Sequence, residues 1–153
     1  MRFWDSSAIV PLLSNQPASG TITKLLREDT EIAVWWGTWV ESAVAVSRLK
    51  REGSLDDDGE DEARAVLDRL ADEWREVEPT DELRILAAIL SKRYPLKAAD
   101  VLQLAAALQW CDGETQDQGF VCLDDRLRSA ASAEGFRVLP ERFAAEIEVE
   151  GSR

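Results

Sequence analysis

Four carboxylates stand where the sequence gives them little polar company. Asp5 directly follows the apolar stretch RFW (2–4). Glu41 lies between Trp39-Val40 and Ala43-Val44, Asp100 stands inside LKAADVLQLAAAL (96–108), and Asp124 directly follows GFVCL (119–123). Most of the other acids among the 30 in the chain fall in plainly polar stretches. Carboxylates gathered in one pocket repel and raise each other's pKa unless a cation sits among them. A divalent metal removes that cost, makes water a better nucleophile and stabilises charge building on a phosphoryl group. Asp125, beside Asp124, leaves the fourth position open by one residue. Asp124 is preferred because it ends the apolar run.

Composition narrows the chemistry further. The chain has no histidine, which excludes Ser-His-Asp and Cys-His nucleophilic sites, imidazole acid–base work and HExxH zinc sites. Two cysteines, Cys111 and Cys122, are too few for a tetrahedral zinc site and fit a reducing compartment. No GxGxxG or GxxxxGK[ST] occurs, so the common nucleotide-binding loops are missing. Carboxylates without histidine suit hard, oxygen-seeking ions, Mg²⁺ or Mn²⁺. Each acid also has a structural reading. Asp5 can cap the helix beginning near Ser7, Asp100 and Asp124 can cap or face a helix dipole, and Glu41 can point to solvent. The joint pattern of four acids near one rim favours the chemical reading.

The elements that would position these acids alternate. Short apolar strands are expected at 2–4, 31–36 and 119–123, an edge strand at REVEP (75–79) and a short strand at FRVL (136–139). SAIVPLL (7–13) and GTITKLLRE (20–28) read as short helices, interrupted by Pro11 and Pro17. Helices follow at 38–52, stopped by Gly53, at 60–74, at 80–94 from a capping-box-like Thr80, at about 96–110 and at 125–134, stopped by Gly135. The acidic segment DDDGEDE (56–62) reads as a turn. Strands alternating with helices imply βαβ units and a parallel α/β sheet covered on both faces, with the site at the carboxyl ends of the strands.

The 153 residues, 45% hydrophobic and 31% charged, suit one soluble domain; no apolar run approaches the length of a membrane span. MRFWDSSAIV turns acidic too soon for a signal peptide, so a cytoplasmic protein is expected. Residues 1–147 are taken as the domain and 148–153 as a short C-terminal tail.

FWDSSAIVPLL, WVESAVAVSRLKREG, LKAADVLQLAAAL and FVCLDDRLRSAASAEGFRVL together resemble the PIN-domain nucleases, especially the VapC-type toxins of bacterial type II toxin–antitoxin systems. The stretches come in the family's order and span nearly the whole chain. The resemblance implies a three-layer α/β/α fold with a five-stranded parallel sheet. It also implies Mg²⁺- or Mn²⁺-dependent endoribonuclease activity, homodimers and inhibition by a cognate antitoxin. It maps Asp5, Glu41, Asp100 and Asp124 onto the acidic metal-site positions, and Ser6 or Ser7 onto a hydroxyl that orients the first Asp. Two departures stand out. Cys122 occupies a place where many relatives carry Thr or Ser, and Gln103 a place where many carry His.

The formal net charge of −12 opposes RNA binding, which needs a basic footprint. Candidate phosphate contacts are Arg48, with Lys50 and Arg51, then Lys97, Arg126 and Arg128, each of which also reads as part of a solvated face. The tryptophans at 35, 36 and 39 read mostly as core, with one or two left for a dimer or antitoxin surface. Competing readings are weaker. A haloacid-type phosphatase wants an Asp where Ser7 stands, and a receiver domain wants paired acids after the first strand. A non-catalytic PIN-like interaction module and a stand-alone RNA-processing nuclease are the remaining alternatives.

Overall fold

In a computed structural model, residues 1–141 are described; the expected boundary at 147 and the tail at 148–153 lie outside them. The strands are β1 (Arg2–Trp4), β2 (Ile32–Trp35), β3 (Arg75–Val77), β4 (Gly119–Val121) and β5 (Arg137–Leu139). The helices are α1 (Ser6–Leu13), α2 (Ser19–Glu28), α3 (Thr38–Arg51), α4 (Asp57–Glu73), α5 (Asp81–Arg93), α6 (Ala98–Trp110) and α7 (Asp125–Ala133). The strands form one sheet in the order β3-β2-β1-β4-β5, and every neighbouring pair is parallel. All five carboxyl ends therefore share one rim.

Burial on both faces explains the apolar strands. Side chains alternate across a strand. Phe3, Ala33 and Phe120 accordingly pack with Leu83, Leu90, Leu104 and Leu127 from α5, α6 and α7. Their neighbours Trp4, Val34 and Val121 pack on the other face with Ile9, Ile22, Val46 and Leu67 from α1 to α4. The result is three layers, α/β/α. The edge strands carry exposed charges, Arg75 and Glu76 on β3 and Arg137 on β5, which discourage pairing with another chain.

Helix limits follow from local chemistry. Thr80 accepts from the Leu83 amide at 3.1 Å, so it caps α5, but Leu83 offers no side chain to complete a capping box. Gly53 follows α3 at φ 81° and Gly135 follows α7 at φ 100°, left-handed positions that favour glycine.

Two expectations change. Pro11 does not interrupt α1, which runs through it to Leu13. The ring removes one backbone donor, while Ala8, Ile9, Pro11 and Leu13 are buried and hold the helix in place. The acidic segment at 56–62 is also helical from Asp57 onward. Asp56 caps α4, accepting from the Gly59 amide at 2.7 Å, and Asp57, Asp58 and Glu60 fill its first turn, where the positive end of the helix dipole favours acids.

Leu104 of α6 is fully buried in the core cluster on the face of the sheet covered by α5, α6 and α7. Leu104→Ala should cost about 3 kcal/mol in urea unfolding, against about 1 kcal/mol for loss of the α5 cap in Thr80→Ala. Equal costs would contradict the burial of Leu104 in that core.

Candidate metal centre

Asp5 sits one residue past the central strand. Its backbone amide donates to the Val121 carbonyl at 2.9 Å, continuing the β1–β4 pairing and fixing the residue at the rim. Its side chain caps α1, Oδ2 accepting from the Ser7 amide at 3.0 Å. The Cys122 Sγ lies 3.7 Å from the same oxygen, within reach of a weak thiol hydrogen bond. The Ser7 hydroxyl accepts from the Leu123 amide at 2.9 Å, which ties the start of α1 to the end of β4. Asp5 is 3% exposed. Burial, opposed by the Ser7 hydrogen bonds and reinforced by the Asp100 charge, lifts its pKa from 3.8 to about 6.

Glu41 occupies the first turn of α3. The Ser6 hydroxyl donates to its Oε2 at 2.8 Å, and the Gln103 Nε2 lies 3.3 and 3.4 Å from its two oxygens. Gln103 also donates to the Thr38 hydroxyl at 3.0 Å, and both residues are fully buried. Burial raises the Glu41 pKa above the ordinary carboxylate value; Asp5 and Asp100 add to the rise, while Ser6 and Gln103 oppose it.

Asp100 lies in the first turn of α6. Burial and then Asp124 raise its pKa, with Lys97 and Arg126 pulling it down. Asp124 caps α7, its Oδ1 accepting from the Leu127 amide at 3.0 Å. The capping reading thus holds for Asp5 and Asp124 alongside their place in the site, since a cap engages only one carboxylate oxygen.

All four acids, with Ser6, Ser7 and Arg48, line one cleft of about 400 Å³ at the carboxyl ends of β1 and β4. Asp125 is exposed and does not line it. Arg48 is exposed at its mouth, and Lys97 and Arg126 act on Asp100. Arg128 donates to the carbonyls of Cys122 and Pro140 at 2.8 and 2.7 Å, and so braces the backbone behind Asp124. Thr38 escaped the sequence reading. Its only signal was position, one turn before Glu41 on the same helix face, as Gln103 is one turn after Asp100.

The donors that face the cleft are oxygens, which suits Mg²⁺ or Mn²⁺. The Cys122 thiol is fully buried and does not line the cleft, and burial with the Asp5 charge pushes its pKa well up. Among the described residues no three His, Cys, Asp or Glu side chains are placed to hold an ion as they stand. The carboxylates surround the cleft without closing on one point, as mutual repulsion favours.

A carboxylate whose pKa is raised by folding keeps a proton that the unfolded chain has lost, so stability falls as pH rises between the two values. For Asp5 that window runs from 3.8 to about 6, and the cost above it is about 3 kcal/mol. Asparagine caps a helix as well as aspartate. In EDTA, Asp5→Asn should therefore exceed the wild type by up to about 3 kcal/mol at pH 7.5, shrinking below about 1 kcal/mol at pH 4. A variant less stable than wild type at pH 7.5 would mean that the carboxylate carries no such cost.

Residues 2–133 match the family described as PIN domain. No curated protein matches the sequence. Among solved structures, the chain is similar to a toxin–antitoxin complex from Klebsiella pneumoniae, at TM-score 0.63 and 15% identity over 94% of this chain and 99% of that one. It is also similar to FitAcB from Neisseria gonorrhoeae, at TM-score 0.62 and 17% identity over 90% and 96%. At such identities these two likenesses bear on the fold alone. The match from the first strand to the end of α7 covers most of the sequence and every acid of the cleft, and the chain belongs to the PIN domain family.

Proposed function

We propose that this protein is a metal-dependent endoribonuclease, the toxin of a toxin–antitoxin pair, working in the cytoplasm as a homodimer. The observation that carries the reading is the cleft with four carboxylates, three of which have raised pKa values. An arrangement that costs stability in the empty protein has a physical use when a cation offsets it. Asp5, Glu41 and Asp100 would hold Mg²⁺ or Mn²⁺, with Asp124 completing the set directly or through water. Bound there, the metal would supply Lewis-acid stabilisation of the phosphoryl group and a lowered pKa for water.

The chain's own residues prepare that role. Ser7 fixes Asp5 through its amide, and Ser6 and Gln103 hold Glu41 at the cleft wall. Lys97 and Arg126 offset part of the Asp100 charge and, with Arg48 at the cleft, would meet RNA phosphates. The antitoxin partner draws support from the toxin–antitoxin complex from Klebsiella pneumoniae to which the fold is similar. No helix among the described residues is long and apolar enough to cross a membrane.

Cleavage of bulk RNA by the purified protein with Mg²⁺, Mn²⁺ or EDTA tests the proposal. Activity should need the metal and fall by about 100-fold or more in Asp100→Asn. Mn²⁺ should also raise the wild-type unfolding midpoint, as a ligand of the native state must, and raise that of Asp100→Asn less. Metal-independent cleavage, or cleavage equal in the variant, would overturn the assignment. A folded protein that takes up no metal by calorimetry would favour the inert PIN-like module.

A further inference from the structure

The carboxylate cleft does not end at its own wall. Val40 and Val44 line it, and both also line a neighbouring groove of about 300 Å³ between α3 and α4, together with Trp39, Ser47, Arg51 and Arg64. In a chain of net charge −12, no residue lining this groove is acidic, and two are arginines. Along α3, residues 40, 44 and 48 follow at one-turn spacing on a single face, with 51 beside them. Val40 is 52% exposed and Val44 56%. From Val40 to Arg51 the row extends about 16 Å. At its head Trp39 is 43% exposed, far more open than a core tryptophan such as Trp4 at 0%.

We infer that this groove is the track for an unpaired RNA strand leaving the cleft, with Trp39 as a base-stacking platform and Arg51 as a phosphate contact. The inference rests on the nuclease reading and assigns a path for the nucleotides that flank the seated phosphodiester. A phosphodiester seated among the carboxylates has neighbouring nucleotides that must lie somewhere, and this groove is continuous with the cleft. Arginines meet phosphates, and an open aromatic face stacks with any base, which a duplex would withhold. Arg64 forms part of the groove wall, held by the Ser47 hydroxyl at 2.7 Å and ion-paired with Glu60 at 3.1 Å, which leaves Arg51 as the lining cation without such a pair among the described residues.

The test is anisotropy of a labelled single-stranded oligoribonucleotide, and of the same sequence in a duplex, on full-length Asp100→Asn protein. The single strand should bind at least about tenfold tighter than the duplex, Trp39→Ala should lose about tenfold, and Trp39→Phe should stay within about twofold. Arg51→Ala should weaken binding and flatten its salt dependence by about one charge. In the otherwise native protein, Trp39→Ala should raise KM for RNA cleavage with kcat nearly unchanged. Metal-dependent cleavage with KM unmoved by Trp39→Ala would overturn the track and leave the nuclease standing; absence of any RNA cleavage would instead fall on the nuclease reading. Sedimentation showing a dimer that Val44→Asp splits, with RNA affinity unchanged, would reassign this face to a second copy of the chain.

Discussion

The structure turns on one unfavourable placement: a carboxylate, Asp5, buried at the end of the central strand with two more acids acting on the same space. Burial of a charge costs several kcal/mol unless something opposes it. Among the described residues, what opposes it here is a pair of Ser7 hydrogen bonds and the Ser6 backbone amide, and the pKa still rises to about 6. The fold commits to that placement through its topology. With β1 in the middle and all strands parallel, the residue after β1 must lie on the rim where the helices after β2 and β4 begin. Glu41 and Asp124 are brought beside Asp5 by the same rule that brings their strands beside β1.

Around this centre the polar groups form a frame. Ser6, Ser7, Gln103 and Cys122 each touch an acid or the backbone that carries one, and each contact joins segments far apart in sequence. Helix caps add a second restraint. Asp5 and Asp124 each use one oxygen to hold the first turn of a helix, so the other oxygen is aimed by the helix itself. A carboxylate fixed in this way gives up rotamer freedom before any ligand arrives, which is how a preorganised site avoids ordering costs later.

Much of the architecture was legible because its signals are local. An apolar run closed by an acid marks a strand reaching a rim, and RFW-Asp5 and GFVCL-Asp124 both carry that mark. Glycine after a periodic helix marks its end, as at Gly53 and Gly135. The rest was not legible, because the deciding contact is remote or the local signal is ambiguous. The Gln103–Thr38 bond spans 65 residues and the Ser7–Leu123 bond 116, and no spacing in the sequence foretells either. Pro11 was misread because packing outweighs one missing hydrogen bond. DDDGEDE was misread because acids favour a helix start as strongly as they favour a turn.

The net charge of −12 loses much of its force once the charges are placed. Asp56 and the acids after it sit at the start of α4, where the helix dipole takes up part of their charge, and Asp57 pairs with Lys50 at the end of α3. At physiological ionic strength, exposed charges more than about 8 Å apart are largely screened from one another. The field at the cleft is therefore set by its own four acids and by Arg48, Lys97 and Arg126 near them, more than by the sum over the chain. Net charge governs the solubility of the whole molecule and the long-range approach of partners. It does not set the local field that the basic residues of α3, Lys97 just before α6 and Arg126 in α7 create near the cleft.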